Sequence, residues 1–243
     1  MGVILAVTSG KGGVGKSSVS TGLGFAFCSM AQKVLLVDMD EGLRCLDLML
    51  GVDKQTVFDL SDALSTDRIE DSIYPDEKHK GLYLMPAPSK VGLVDTEKIA
   101  VFSQKVSDMF DVVIFDFPAG IDLPLYKALP ENTNFLTVAI LDPVSIRDAS
   151  AIGNELYESG INARLILNRF VYKQSKKFKM RNIDDIIDMA GLRLIGIVPE
   201  SEEITLLSLN HTLNKKGKPM AALKRIAKRI NGEQILLPKL KKI

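Results

Sequence analysis

The segment SGKGGVGKSS, residues 9–18, contains four glycines and two lysines and comes directly after an apolar run at residues 3–7. Glycines allow consecutive backbone N–H groups to turn toward an anion, and lysine neutralises its charge. Residues 10–17 fit the pattern G-x-x-x-x-G-K-[ST], which is typical of loops that hold nucleotide phosphates. We predict that Lys16 contacts the β and γ phosphates and that the Ser17 hydroxyl coordinates Mg²⁺. The predicted phosphate-binding loop consists of Gly10, Lys11, Gly12, Gly13, Val14, Gly15, Lys16, Ser17 and Ser18.

Three acidic residues follow two further apolar runs. Asp38 and Asp40 come after residues 34–37, and Asp116 comes after residues 112–115. A carboxylate at a strand end is able to hold a magnesium-bound water or to orient the water that attacks a phosphate. We predict that Ser17, Asp38 and Asp116 surround the metal ion. An isolated D-x-D sequence is also typical of a solvated turn, so the residue pattern alone leaves the role of Asp40 open.

Seven apolar runs of strand length recur along the chain, and their continuous character indicates strands covered on both faces. They are residues 3–7, 34–37, 82–85, 112–115, 136–141, 165–167 and 194–198. Segments with helical periodicity lie between most of them, at residues 17–30, 96–109, 145–158 and 182–190. This alternation predicts an α/β fold with a doubly wound, mainly parallel sheet flanked by helices. Ligands bind such sheets beyond the carboxyl ends of the strands, where we expect the loop and the acids to meet.

The composition is that of a globular protein, with 46% hydrophobic and 25% charged residues in 243 positions. This length suits one domain. The sequence has no apolar window of about 18 residues, and its first residues lack the features of a secretory signal, so we expect a cytoplasmic protein. Cys28 and Cys45 are isolated from each other, which argues against a disulfide framework and against a zinc cluster.

Positive charge is concentrated in residues 215–243, which contain ten of the 31 Lys and Arg but one of the 30 Asp and Glu. We divide the chain into one domain, residues 1–232, and a basic amphipathic tail, residues 233–243. Such a segment is able to bind an anionic membrane surface, although Pro238 interrupts its helical pattern. The alternative is a last core helix at residues 223–230 followed by a frayed tail.

Three segments carry a resemblance to a known family. KGGVGKS, residues 11–17, resembles the deviant Walker A loop of the MinD/ParA ATPases, in which the early lysine is the signature residue. Residues 34–51, VLLVDMDEGLRCLDLMLG, are similar to switch I of the MinD-like group, and residues 112–120, VVIFDFPAG, to Walker B followed by switch II. The resemblance implies a P-loop NTPase fold of the SIMIBI type. It also implies ATP and Mg²⁺ as cofactors, ATP hydrolysis and an ATP-dependent homodimer.

The resemblance further implies roles for single residues. Lys11 reaches the phosphates of the second copy across the dimer, Lys16 binds phosphate and Asp40 orients the attacking water, so these are the predicted catalytic residues. The adenine pocket is predicted to be lined by Asn168, Arg169, Pro199 and Glu200. Without the resemblance, Lys11 is also typical of a solvated loop and Asn168 of an ordinary strand end.

Two positions depart from the family pattern: Phe117 stands where a small residue is usual, and Cys45 replaces an asparagine. The resemblance therefore makes no prediction about the coupling of switch II to partners. Four charged residues match family positions near the dimer and partner surfaces: Arg44, Asp47, Arg147 and Asp148.

The MinD-like resemblance implies a nucleotide-dependent spatial switch in cell-division site placement, with regulatory protein partners at the inner face of the membrane. A regulator of flagellar number is an alternative within the same group. A second alternative is a ParA-like partitioning ATPase that binds DNA through basic residues. Its basic residues include a cluster of Lys173, Lys176, Lys177, Lys179 and Arg181. A metabolic enzyme of the same fold has no positive indication, and an iron–sulfur carrier needs a cysteine spacing that this chain lacks.

Overall fold

The protein is described from a computed structural model that covers residues 2–66, 68–177 and 182–243. Its strands in chain order are β1 Val3–Thr8, β2 Val34–Asp38, β3 Tyr74–Pro75, β4 Leu82–Met85, β5 Val112–Asp116, β6 Asn134–Ile140, β7 Ala163–Phe170 and β8 Arg193–Pro199. They form one sheet in the order β3-β4-β2-β5-β1-β6-β7-β8. Neighbouring strands are parallel except β3 and β4 at one edge. The prediction of a mainly parallel, doubly wound sheet is confirmed.

Helices cover both faces of this sheet. In chain order they are α1 Lys16–Cys28, α2 Leu46–Leu50, α3 Leu60–Ser65, α4 Thr96–Met109, α5 Leu123–Lys127, α6 Pro143–Glu158, α7 Tyr172–Lys177, α8 Ile183–Ala190, α9 Glu202–Thr205, α10 Leu207–Asn210 and α11 Lys218–Ile230. Buried residues of α1, α2, α9, α10 and α11 form the core on one face. Those of α3, α4, α5, α6 and α8 form the core on the other face. The sheet is therefore the middle layer of three.

The central strand β1 shows why the apolar runs are continuous. Leu5 and Val7 pack into the core beneath α1 and α11, whereas Ile4 and Ala6 pack into the core beneath α4. Successive side chains of a strand point to opposite faces, so a strand between two helix layers needs apolar residues at every position. Short β3 escaped prediction because two residues, one of them Pro75, carry no periodic signal.

The carboxyl-terminal residues 233–243 contain no α-helix and end in a 3₁₀ turn at Leu240–Lys242. The Arg229 guanidinium donates hydrogen bonds to the carbonyls of Ile235 and Leu236, at 2.8 and 2.9 Å. Leu240 is 6% exposed and packs in a core cluster that includes Phe170. This predicted amphipathic tail is thus docked on the domain in a largely extended form through Leu240 and Ile243, while Leu236 is 91% exposed.

The preceding helix α11 agrees with the alternative prediction of a last core helix, since its residues Leu223, Ile226 and Ala227 are fully buried. Among the described residues, no helix has the length and apolar character needed to cross a bilayer.

Candidate functional site

The predicted phosphate-binding loop connects β1 to α1 at the carboxyl edge of the sheet. Gly13 and Gly15 have φ of +81° and +83°, a conformation that favours glycine. A side chain at Gly10 would come within 2.8 Å of Asp148 on α6, and one at Gly15 would clash with the Asn168 amide. At Gly12, apart from the two neighbouring residues in the chain, no atom of the described residues lies within 4 Å of the position of a Cβ. The loop is therefore packed tightly on its inner side and open on its outer side.

Lys16 and Asp116 form a buried ion pair under this loop. The Lys16 Nζ lies 3.2 Å from Asp116 Oδ1, and the exposed fractions of the two side chains are 8% and 0%. Burying both charges costs desolvation energy that their mutual attraction offsets. The second oxygen of Asp116, Oδ2, is buried without a hydrogen-bond partner in the described part of the chain. A buried carboxylate oxygen in this condition is suited to a metal-bound water.

Ser20 is a site residue that the sequence analysis missed. Its hydroxyl donates to Asp116 Oδ1 at 2.7 Å. Ser20 follows Lys16 by one helical turn and therefore lies on the same face of α1, which is the signal that could have identified it. Ser17 lies at the start of the same helix, where its Oγ accepts a hydrogen bond from Lys16 Nζ at 3.4 Å.

Asp38 holds the segment that follows β2. Its Oδ1 accepts from the backbone N–H of Asp40 at 3.0 Å, and its Oδ2 accepts from those of Cys45 and Leu46 at 3.0 and 3.1 Å. The carboxylate thus organises the loop from Asp40 to Leu46. Its predicted part in the magnesium shell remains a prediction.

Burial and the nearby carboxylate of Asp116 raise the pKa of Asp38 from 3.8 to about 7, against the backbone donors, which favour the ionised form. Between these two values the folded chain keeps a proton that the unfolded chain has lost, so folding stability falls as pH rises from about 4 to about 7. At about 1.4 kcal/mol per pH unit, the effect of this carboxyl is on the order of 4 kcal/mol.

We expect Asp38→Asn to make the pH dependence of the free energy of unfolding shallower over this range. Urea denaturation of the nucleotide-free protein in EDTA measures it. The exposed Asp53→Asn is the matched control and should leave the slope unchanged. An unchanged slope in Asp38→Asn would contradict the raised pKa.

Asp40 is half-buried beside this site, and burial raises the pKa of its carboxyl. The adjacent Glu41, which the sequence analysis missed, accepts hydrogen bonds from the backbone N–H groups of Gly92, Leu93 and Val94 at 2.8, 2.8 and 2.7 Å. The loop that carries Asp40 is thus held by three hydrogen bonds against a segment that lies 51 to 53 residues further along the chain. No sequence signal marked this contact.

Lys11 is exposed on the outer side of the loop, whereas Lys16 is buried beneath it. The two lysines of the motif therefore occupy different environments. A buried lysine with an acidic partner is held in one position, and an exposed lysine is free to reach a group outside its own chain.

The predicted base-binding residues lie beside the loop on β7 and β8. Asn168 is fully buried, and its Nδ2 donates to the Val14 carbonyl at 2.9 Å, while its Oδ1 has no partner among the described residues. Arg169 is exposed, with φ of +51°. Glu200 donates its backbone N–H to the carbonyl of Phe170 at 3.0 Å, and Pro199 pairs with Phe170 in the sheet. The fold thus brings the four predicted residues together, with Asn168 also supporting the loop.

The switch II segment is anchored by aromatic packing. Phe117 is fully buried, and its ring lies 4.8 Å from that of Tyr126 in an edge-on contact. The Tyr126 hydroxyl donates to the Gly120 carbonyl at 3.1 Å, and the Gly120 N–H donates to the Ser9 carbonyl at 2.8 Å. The departure at Phe117 therefore lies in the core and leaves the loop joined to the phosphate-binding segment.

The four charged residues predicted at a dimer or partner surface divide into two pairs. Arg44 donates to Asp47 Oδ2 from Nε at 3.0 Å, and Asp47 is 5% exposed, so this pair stabilises the local loop and Asp47 is not a surface residue. Arg147 and Asp148 have side chains that are 78% and 28% exposed. Both lie on α6, Asp148 next to Gly10, and their place at a dimer or partner surface stays a prediction.

The residues present fit a nucleotide with its magnesium ion. The glycine loop offers an open cradle of backbone N–H groups at the start of α1. Among the described residues, Asp116 Oδ2 and Asn168 Oδ1 are buried acceptors without a partner, of the kind that a metal-bound water and the amino group of adenine would need.

Comparison with known proteins gives a consistent result. A family model described as the CobQ/CobB/MinD/ParA nucleotide binding domain matches residues 5–214. Septum site-determining protein MinD of Bacillus subtilis (strain 168) is 34% identical over 247 residues, which cover 98% of this chain and 92% of that relative.

Two solved structures are similar over nearly the whole chain. A MinC:MinD cell division protein complex from Aquifex aeolicus has a TM-score of 0.86 at 30% identity and covers 97% of this chain and 98% of that one. Septum site-determining protein MinD complexed with Mg-ADP from Pyrococcus horikoshii OT3 has a TM-score of 0.80 at 27% identity, with coverages of 95% and 96%.

Proposed function

Since this chain belongs to the CobQ/CobB/MinD/ParA family of nucleotide-binding domains, we propose that it is a MinD-type ATPase. It dimerises on binding ATP and acts as a nucleotide-dependent spatial switch in cell-division site placement. The observation that carries this proposal is the buried pair of Lys16 and Asp116 beneath an open glycine loop. Such a pair holds a cation for the phosphates and an acid for the metal in fixed positions before any ligand arrives.

The residues divide the chemistry between them. When bound, ATP would supply the phosphoryl group that is transferred to water, and Mg²⁺ would neutralise the negative charge on its phosphates. Lys16 would neutralise phosphate charge, while Ser17, Asp38 and Asp116 would hold the metal and its bound water. Asp40, held by the loop that Asp38 and Glu41 organise, orients the attacking water. Exposed Lys11 extends toward the phosphates of a second copy, so turnover requires the dimer.

A protein partner follows from the same assignment. The Aquifex aeolicus structure is named a MinC:MinD cell division protein complex. By extension, we propose that the present chain binds a regulatory partner of the division-site type. We also propose that it is a cytoplasmic protein that attaches peripherally to the inner face of the membrane.

Light scattering with and without ATP tests the proposal in the Asp40→Ala background, where hydrolysis does not remove the nucleotide. We expect the mass to double with Mg²⁺ and ATP and to remain that of a monomer with ADP. A monomer under conditions where calorimetry shows ATP to be bound would contradict the nucleotide-driven dimer.

Membrane attachment through residues 233–243 is a separate prediction. Leu240 must leave its core contact to enter lipid, while Lys239, Lys241 and Lys242 each add about 1 kcal/mol at an anionic surface. We expect the intact protein with ATP to sediment with anionic vesicles and a variant truncated at Gln234 to remain in solution. A variant with these three lysines changed to Gln keeps the core contact of Leu240, so it tests the loss of charge without the loss of folding. We expect this variant to remain in solution as well. Equal sedimentation of all three proteins would contradict the prediction.

DNA binding remains a second candidate because Lys173, Lys176 and Lys177 are exposed on α7. Lys179 and Arg181 of the same predicted cluster lie outside the described residues. Addition of DNA to the ATP-bound sample discriminates the two functions. Retention that falls steeply with salt indicates the partitioning function, and lipid binding without DNA retention indicates the division-site function.

A further inference from the structure

A cavity of about 880 Å³ lies at the edge of the sheet opposite to the phosphate-binding loop. It is lined by the first residues of three neighbouring parallel strands: Asn134 of β6, Arg164 of β7 and Arg193 of β8. Because the strands are parallel, their amino ends are a full strand length away from the carboxyl ends that carry Lys16 and Asp116. The cavity is therefore separate from the candidate nucleotide site.

Arg164 is a half-buried cation in this cavity and has no acidic partner among the residues that the structure describes. Its Nη2 donates to the neutral Asn134 Oδ1 at 2.6 Å, and burial lowers the pKa of the guanidinium. Neither Arg164 nor Arg193 forms an ion pair with a carboxylate in residues 2–66, 68–177 and 182–243. A partly buried arginine is normally paired with an anion, and within the described residues the charge of Arg164 is uncompensated.

The sheet register places a second positive charge beside the first. Arg164 and Arg193 are direct partners in the parallel pairing of β7 and β8, so their side chains leave the same face of the sheet. Adjacent strands are about 4.8 Å apart, and like charges directly opposite each other destabilise the pair. An anion held between the two guanidinium groups would reverse the sign of this interaction.

The cavity walls indicate what kind of anion fits. The lining also includes Asn132, Asn154, Asn162 and the exposed Tyr157, and Glu131 is the one acid among the described residues that line it. Two guanidinium groups match the several oxygens and double charge of a phosphate. The amides offer donors and acceptors for hydroxyl groups, and the ring offers an apolar surface.

We propose that this cavity is a second ligand site that binds a small phosphate monoester, with its phosphoryl group held between Arg164 and Arg193 and its organic part against the amides and Tyr157. The site is independent of nucleotide hydrolysis, since none of its residues belongs to the phosphate-binding loop or to the predicted switch segments.

A calorimetric titration with glycerol 3-phosphate tests this proposal. The protein is first saturated with Mg²⁺ and ADP so that the phosphate-binding loop is already filled. We expect binding to the wild type and at least about tenfold weaker binding to Arg164→Gln and to Arg193→Gln. Arg68→Gln, outside the cavity, is the matched control and should bind as the wild type does. Inorganic phosphate, which lacks the organic part, should bind more weakly than glycerol 3-phosphate.

The same titration on Lys16→Ala without nucleotide separates this site from the proposed function, because the cavity should bind equally well when the nucleotide site is lost. Thermal unfolding without ligand gives an independent readout. Removal of one of two repelling charges should leave the melting temperature of Arg193→Gln unchanged or higher, whereas a purely structural arginine would lower it. Absence of binding to the wild type, or equal binding by Arg164→Gln, would overturn the proposal.

Discussion

Lys16→Ala is expected to weaken the affinity for ATP by about 100-fold or more. Lys16 is 7% exposed, so its contact with phosphate is made where water screens little of the charge. Hydrogen bonds to charged groups contribute roughly 1.5–3 kcal/mol each, and about 1.4 kcal/mol corresponds to a factor of ten in affinity. Calorimetry with ATP and Mg²⁺ measures the loss. Retained affinity would count against the phosphate-binding loop.

The same substitution leaves Asp116 buried without its cation, which destabilises a fold by roughly 3–5 kcal/mol. The double variant Lys16→Ala/Asp116→Asn separates the two effects, since it should regain stability but not ATP affinity. Lys11→Ala is the matched control on the same loop. Lys11 is exposed and is proposed to reach the phosphates of a second copy, so we expect Lys11→Ala to bind ATP but to remain a monomer and to lose turnover.

Asp40→Ala is expected to lower ATP turnover by about 100-fold or more and to leave ATP affinity nearly unchanged. A positioned side chain that assists proton transfer or orients a nucleophile contributes roughly 10²–10⁴-fold to a rate. The ion pair of Lys16 with Asp116 does not include Asp40, so phosphate binding is retained. The ATP-bound dimer should therefore accumulate, as phosphate release assays combined with light scattering would show.

Two further variants define this result. Asp53→Ala removes an exposed carboxylate from the following turn and should keep wild-type turnover. Asp40→Asn keeps the shape of the side chain and should be nearly as slow as Asp40→Ala, because the amide cannot accept a proton from water. Rapid turnover in either Asp40 variant would remove this residue from its role.

The fold was largely predictable because its signals are local. A strand covered on both faces needs an apolar residue at each position, as β1 and β5 show, and this requirement is written in consecutive residues. The glycine loop is similar, since its pattern lies within eight positions and its strand and helix flank it. The same local information predicted that the candidate site lies at the carboxyl edge of the sheet.

The sequence was less informative wherever one side chain serves two distant segments. Asp38 was predicted from its place after β2, but its bonds to the backbone of Cys45 and Leu46 were not. The sequence analysis missed two further contacts for the same reason. They are the hydrogen bonds from the backbone of residues 92–94 to Glu41 and the packing of Leu240 in a core cluster. A hydrophobic pattern records that a residue is buried and does not record its neighbour.

Consecutive residues thus encode the elements, their three layers and the predicted phosphate-binding loop, because burial and backbone conformation depend on short-range chemistry. Strand order and helix packing decide which groups meet: Ser20 reaches Asp116 across 96 positions, and Asn168 reaches Val14 across 154. Arg164 and Arg193 become neighbours through the register of β7 and β8. Such pairings arise when the layers close on each other, since hydrogen bonds and ion pairs act over a few ångströms between residues that the chain keeps far apart.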